Sequence, residues 1–379
     1  MRKLSIHNKA STSMFALLFA AGLLVGAILT VYITFNELNE LHDEVTFLRN
    51  QVSNLTGAQN ATYQNITIYQ NTTALADIYE SVRESVVLVQ GTTSDGGVQG
   101  SGFVYETSGR TVVITNYHVV HETLTLSVTF SNGNGYAAEV LGTDPYVDLA
   151  VLSVDAPANE FKPIEVVSSS TLRVGEPVIA IGNPYGLVGS LTTGVVSALG
   201  RSLAEEELAG GYSIANIIQT STPINPGNSG GPLLNAVGNV VGITTAIVSE
   251  SQGLGFAVPS NTILREISAL IETGTYTGHS YLGVSGQDMS YNLAQEIGAS
   301  VTYGWRIETV TSGGPSDGSL NSGDIITALN DTPIRSNDDL ASYLEEKTLP
   351  GQSLMLTVIR GTSTMDVTIV LGTRPPPPV

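Results

Sequence analysis

The chain has 379 residues, 42% of them hydrophobic, and carries 34 Asp and Glu against 15 Lys and Arg for a formal charge of −19. That charge argues against nucleic acid and anionic lipid surfaces as partners, since both need clustered Lys and Arg, and the absence of Cys removes disulfides, thiolate metal sites and cysteine nucleophiles. The length asks for two or three domains, and frequent short runs of Val, Ile and Thr give a mainly β expectation.

Residues 1–13 carry Arg2, Lys3 and Lys9, and 14–35 (Met14 to Phe35) carry no charge. As a helix that run spans about 33 Å against a hydrocarbon core of about 30 Å. It exceeds the core of a cleaved signal peptide, roughly 7–15 residues, so the reading is a retained single-pass anchor. Glu37, Glu40, Asp43 and Glu44 follow, and the positive-inside rule then places 1–13 in the cytoplasm and the rest outside. Over 36–55, Leu38, Leu41, Val45, Leu48, Val52 and Leu55 repeat at spacings of three and four, the seam of a short coiled-coil stalk or of an amphipathic stalk helix. Residues 56–74 are rich in Asn, Gln and Thr and read as an exposed linker. Sequons at Asn54, Asn60, Asn65 and Asn71 are glycosylation acceptors if the cell modifies external asparagines.

Between 75 and 275 short apolar runs separated by turns predict strands at 86–90, 102–105, 112–115, 124–130, 149–154, 178–181, 194–199, 214–220, 240–245 and 255–258. Many short strands mean a sandwich or closed barrels. Asn261 is the expected N-cap of a helix with apolar positions Ile263, Leu264, Ile267, Leu270 and Ile271, ending before Gly274. A second unit covers 279–372, with a capped helix over 336–344 and a strand over 354–360. Residues 373–379 end the chain as a stiff Pro-rich tail.

A serine hydroxyl becomes a nucleophile when an imidazole takes its proton, and the imidazole needs a carboxylate to fix its tautomer. His118 in Thr115-Asn-Tyr-His, Asp148 before Leu149-Ala-Val-Leu, and Ser229 in Gly227-Asn-Ser-Gly-Gly231 supply these parts. The glycines allow Gly227, Asn228 and Ser229 to form an oxyanion hole, the amides of Gly227 and Ser229 converging on one point. His7, His42 and His121 lie outside such a motif. Asp144 precedes Pro145 and reads as a turn, which leaves Asp148 as the stronger carboxylate.

With Ile181-Gly-Asn-Pro-Tyr-Gly-Leu187, Ile224-Asn-Pro-Gly-Asn-Ser-Gly-Gly-Pro232 and Gly255-Phe-Ala-Val-Pro259 added, the segment from about 75 to 372 resembles the HtrA (Deg) family of ATP-independent serine proteases. The resemblance implies a double six-stranded β-barrel of the trypsin type, a C-terminal PDZ-like α+β domain, catalytic His118, Asp148 and Ser229, a homotrimer and no cofactor or metal. It also implies an extracytoplasmic endopeptidase of protein quality control acting on unfolded or misfolded polypeptides. A holdase or scaffold with little cleavage is the alternative, and a receptor that only docks partner tails is a third, weaker reading. By the same resemblance Thr245, Ala246, Ile247 and Val248 help form the specificity pocket, favouring small or medium aliphatic residues before the scissile bond. Tyr281-Leu282-Gly283-Val284 matches the loop that holds peptide C-termini in PDZ domains, and Trp305 reads as a packing residue. Two departures, Thr220-Ser-Thr-Pro223 before the nucleophile loop and Thr244 where Asn is usual, bear on loop order and substrate preference.

Overall fold

The computed structural model describes residues 72–183, 189–204, 213–225, 227–245 and 254–376. The expected anchor, stalk and four sequon asparagines lie outside these residues, as does the expected linker up to residue 71; its last three residues, 72–74, open a helix instead. Among the described residues no helix is long and apolar enough to cross a membrane.

A helix α1 (Thr72–Val82) leads into two closed six-stranded barrels. The first is built from β1 (Val86–Thr92), β2 (Gly97–Thr107), β3 (Arg110–Thr115), β4 (Thr125–Thr129), β5 (Gly135–Asp144) and β6 (Leu149–Val154), in the order β1-β2-β3-β6-β5-β4. The short helix α2 (Tyr117–Val120) leaves its rim after β3. The second holds β7 (Pro177–Gly182), β8 (Ser190–Ala204), β9 (Ser213–Thr220), β10 (Pro232–Leu234), β11 (Val240–Thr245) and β12 (Gly255–Pro259), in the order β10-β11-β12-β9-β8-β7. Closure removes the unpaired edges that a flat sheet exposes.

The strands alternate between two burial environments. Val113, Ala150 and Leu152 join a cluster confined to the first barrel, and Val178, Ala180 and Leu233 one confined to the second. Their sequence neighbours Ile114, Leu149, Val151, Ile179, Ile181 and Leu234 all enter a single cluster common to both barrels. Burial on both faces is why these strands read as unbroken apolar runs.

The sequence reading passed over β5 and β10. A bulge between Val140 and Gly142 breaks the alternation of β5, and Gly142 is required there because a Cβ would lie 2.3 Å from the Leu270 carbonyl. That carbonyl belongs to α3 (Ser260–Thr273), which packs Ile263, Ile267 and Leu270 into the shared core and leaves Leu264 42% exposed. The N-cap of α3 is Pro259 rather than Asn261. The Asn261 amide is engaged elsewhere, accepting from Ser168 Oγ and Ser169 N and donating to Ser170 Oγ. Gly274 ends the helix in the left-handed region, as expected.

The C-terminal unit pairs β13 (Ser280–Tyr281) with β20 (Gly372–Thr373) and builds a second sheet in the order β14-β15-β16-β18-β19. Its strands are β14 (Val284–Asp288), β15 (Trp305–Val310), β16 (Ile325–Leu329), β17 (Thr332–Pro333, paired to β16), β18 (Ser353–Arg360) and β19 (Ser363–Val370). Helices α4 (Tyr291–Ile297) and α5 (Asn337–Lys347) complete it, each capped by a serine, Ser290 and Ser336. Trp305 is buried in its core beside Leu282, Leu340 and Leu356. This unit leans on the second barrel through α5: Ser342 Oγ donates to the Gly200 carbonyl at 2.9 Å, and Arg201 pairs with Asp338 at 3.0 Å.

Candidate active site

His118 and Asp148 meet at the rim of the first barrel. Asp148 Oδ1 accepts from both the backbone N and the ring Nδ1 of His118 at 3.0 Å, and Oδ2 lies 2.9 Å from the same Nδ1. A neutral imidazole that donates from Nδ1 carries its lone pair on Nε2, the state a general base needs. Asp148 is buried and has φ 54°, a left-handed conformation that costs a non-glycine residue about 1–3 kcal/mol. Charge-assisted bonds of about 1.5–3 kcal/mol each offset that cost. The Asn116 amide adds a bond to the Asp148 carbonyl at 3.0 Å.

The nucleophile loop lies against the strands that feed this pair. Ser101 N donates to the Ser229 carbonyl at 2.7 Å and Ser101 Oγ to the Gly227 carbonyl at 2.6 Å. Thr115, three residues before His118, donates its hydroxyl to the Ser101 carbonyl at 2.7 Å. Gly227 (φ 95°) and Gly230 (φ 85°) take left-handed backbone on either side of Ser229. At Gly230 a Cβ would lie 2.1 Å from the Ser101 carbonyl oxygen and 2.4 Å from Thr115 Oγ1. The backbone N of Asn228 donates to the Asn225 carbonyl at 2.9 Å, and that of Gly231 to the Asn228 carbonyl at 2.9 Å, closing the turn that carries Ser229.

The departure at Thr244 falls on a brace of this loop, and that at 220–223 on a turn anchored to β8. Thr244 Oγ1 donates to the Asn228 carbonyl at 2.6 Å and to that of Gly231 at 3.1 Å, while its backbone carbonyl accepts from Gly230 N. Thr222 and Thr220 share a hydroxyl bond of 2.8 Å, and Thr220 Oγ1 donates to Val195 O. Of the four expected specificity residues, Ala246, Ile247 and Val248 lie outside the described residues. Thr245 is buried, and its hydroxyl donates to Asp148 Oδ2 at 3.0 Å, a contact the sequence did not signal.

Tyr281, Leu282, Gly283 and Val284 line a cavity of ≈ 190 Å³ with Leu340, Ala341 and Leu344 of α5. Gly283 stands at φ 75°, its carbonyl accepting from Thr311 N and that of Leu282 from Ser316 Oγ. Ser213 and Ala215 of β9 border the same cavity, so a strand of the second barrel flanks it.

Sequence reasoning also missed a buried ionic cluster between the barrels and the C-terminal unit. His279 Nε2 donates to Asp144 Oδ2 at 2.6 Å and Nδ1 to Glu345 Oε2 at 3.0 Å. Arg265 pairs with Glu345 and, at 2.5 Å, with Glu266. Burial disfavours charge on His279, but hydrogen bonds to Asp144 and Glu345 and their charges push its pKa up to about 10. Burial opposes the Glu345 carboxylate as well, yet bonding to His279 and the nearby Arg265 hold it down at about 2. Burial and the Asp144 charge raise Glu266 well above the usual carboxylate range. Asp144, Glu266 and His279 bring three ligand-type atoms within 4.8 Å of one another. His279 Nε2 and Asp144 Oδ2 stand closer than the about 3.3 Å separating two ligands of a tetrahedral ion, so they share a proton.

Two barrels with a histidine–aspartate pair and a glycine-rich serine loop at their junction, followed by a second β unit, define the trypsin fold joined to a PDZ domain. Sequence comparison agrees: the trypsin-like peptidase domain pattern matches residues 100–243 and the PDZ domain pattern residues 280–371. Protease Do-like 1, chloroplastic, of Arabidopsis thaliana is 37% identical over 292 residues, which covers 73% of this chain and 64% of the relative. Periplasmic pH-dependent serine endoprotease DegQ of Escherichia coli is 36% identical over 278 residues, covering 72% of this chain and 59% of that one. The chain thus spans about half to two thirds of the length of the curated relatives it matches. A solved structure of the HtrA-type protease AlgW with a tripeptide superposes with a TM-score of 0.65 at 32% identity, over 80% of this chain and 98% of that one. The protein belongs to the HtrA/Deg family.

Proposed function

We propose that this chain is a serine endopeptidase that cleaves unfolded or misfolded polypeptides outside the cytoplasm. His118 Nε2 takes the Ser229 hydroxyl proton as Oγ attacks the scissile carbonyl carbon. The amides of Gly227 and Ser229 receive the resulting oxyanion. His118 then protonates the leaving amine, and water hydrolyses the ester on Ser229 by the same steps. The observation that carries this reading is the Asp148 carboxylate bound to the Nδ1 side of His118, on strands tied through Thr115 and Ser101 to the Ser229 loop.

The groove at Tyr281–Val284 takes a peptide C-terminus, which adds as a strand against β14. The apolar run 14–35 anchors the protein as a single pass with the protease outside, and the family resemblance supports assembly as a trimer. The name of the Escherichia coli relative, a periplasmic serine endoprotease, fits this placement.

The test is the full chain in detergent, wild type against Ser229→Ala, with unfolded casein as substrate and a fluorophosphonate probe of the serine. Wild type is expected to degrade casein and take the label, and the variant to do neither. Suppression of casein aggregation by an unlabelled wild type would favour a holdase instead.

A further inference from the structure

The turn joining β5 to β6, Asp144-Pro145-Tyr146-Val147-Asp148, ends in the triad carboxylate, and the C-terminal unit grips its beginning. Asp144 Oδ1 accepts from Tyr146 N at 2.9 Å, closing the turn, while Oδ2 is held by His279 Nε2. The Tyr146 hydroxyl donates to the Pro375 carbonyl, and the Arg374 guanidinium lies 4.4 Å over the Tyr146 ring. Arg374 N in turn donates to the His279 carbonyl at 2.9 Å. Residues on both flanks of the PDZ fold therefore converge on two neighbouring side chains of one turn. At its far end Asp148 holds a left-handed backbone that it adopts only while the surroundings impose it.

We propose that His279 is a positioning residue for the triad: by holding Asp144, it fixes the turn that aims the Asp148 carboxylate at His118. The inference rests on the triad assignment above. Asp144 and Glu345 occupy opposite nitrogens of the same imidazole, but only Asp144 belongs to the turn. Losing Glu345 weakens domain seating and leaves the turn's own bonds in place. Losing His279 unseats the turn. Displacement of a catalytic group by about 1 Å can lower rate about 10²-fold, so a partial loosening is expected to cost roughly tenfold.

The experiment compares full-length wild type, His279→Gln, Glu345→Gln and Tyr146→Phe on a peptide substrate too short to reach the PDZ groove. It measures kcat, KM, the pH profile of kcat/KM and thermal unfolding. For His279→Gln the expected result is a fall in kcat of about tenfold with KM within about twofold. The acid limb of its profile is expected to move to lower pH, because a carboxylate drawn away from His118 stabilises the imidazolium less. Glu345→Gln is expected to unfold at lower temperature while keeping kcat within about twofold. Unchanged kcat in His279→Gln, or kcat falling in parallel with unfolding temperature in both variants, overturns the proposal. Should His279→Gln not fold, Tyr146→Phe decides, with a fall of about threefold and the same pH displacement supporting the proposal and wild-type behaviour overturning it. Asp148→Asn and fluorophosphonate labelling of wild type test the triad separately. An unlabelled wild type, or a fully active Asp148→Asn, removes the triad assignment and this inference with it.

Discussion

Thr245 donates its hydroxyl to Asp148 Oδ2 at 3.0 Å, the same oxygen that lies 2.9 Å from His118 Nδ1. The carboxylate is thus held from both barrels, by β11 on one side and α2 on the other. Thr245→Val keeps the side-chain shape and removes the donor, leaving a buried anionic oxygen with one fewer partner. A bond to a charged group is worth about 1.5–3 kcal/mol, so kcat should fall roughly tenfold or more while KM changes little. Steady-state kinetics on a short peptide substrate check this, and an equal rise in KM would mean that Thr245 acts in substrate binding instead.

Gly230 is the tightest point of the nucleophile loop. In Gly230→Ala the new methyl would meet the Ser101 carbonyl at 2.1 Å in a backbone conformation that disfavours a side chain. The loop must move, and a cost of about 2–4 kcal/mol is expected. Loss of fluorophosphonate labelling together with a lower unfolding temperature is the expected outcome. Retained labelling at the wild-type rate would show that the loop tolerates a Cβ.

The ionic cluster makes docking of the PDZ domain depend on pH. His279 has a folded pKa of about 10, above its ordinary value, so its contribution is complete below about pH 6.5 and is lost as pH rises through 10. Glu266, also raised, acts in the same direction. Glu345, at about 2, contributes fully above about pH 4.5 and loses its contribution as pH falls toward 2. The folded state should therefore be most stable, and its unfolding temperature highest, between about pH 4.5 and 6.5, with stability declining toward pH 10. The difference in unfolding temperature between wild type and His279→Gln is expected to shrink over that alkaline range. A difference that stays constant from pH 7 to 10.5 would contradict it.

In the peptide groove, Gly283→Ala places a Cβ 2.9 Å from Pro315 Cδ at φ 75°. The loop proposed to offer its amides to a carboxylate must shift. Affinity for a C-terminal peptide, measured by fluorescence anisotropy, is expected to fall about tenfold or more, for a cost of roughly 1–3 kcal/mol. Cleavage of a short substrate should be unaffected.

The parts of the site that sit within one motif were legible in the sequence. His118, Asp148 and Ser229 each stand in a local pattern, and the glycines flanking Ser229 have the backbone conformations that their type foretold. Contacts between distant segments left no such trace. Asp144 looked like a plain turn residue beside Pro145, although its partner His279 lies 135 positions away. The bond from Thr245 to Asp148 was not legible either, because nothing local marks a hydroxyl aimed at a carboxylate 97 positions earlier. Strand β5 escaped because its bulge and Gly142 break the period-two pattern, and β10 because three residues are too few to show one. Asn261 has the chemistry of a helix cap, but its amide is engaged with residues 168–170 instead.

Because Ile114, Leu149 and Val151 of one barrel and Ile179, Ile181 and Leu234 of the other belong to a single apolar cluster, each barrel, besides its own cluster, shares a second buried face with the other. Separating them would expose the buried faces of both, so the protease region melts as one body rather than in halves. Loosened segments are thereby scarce in this region: its strands become open to cleavage only in the rare event that the whole body opens.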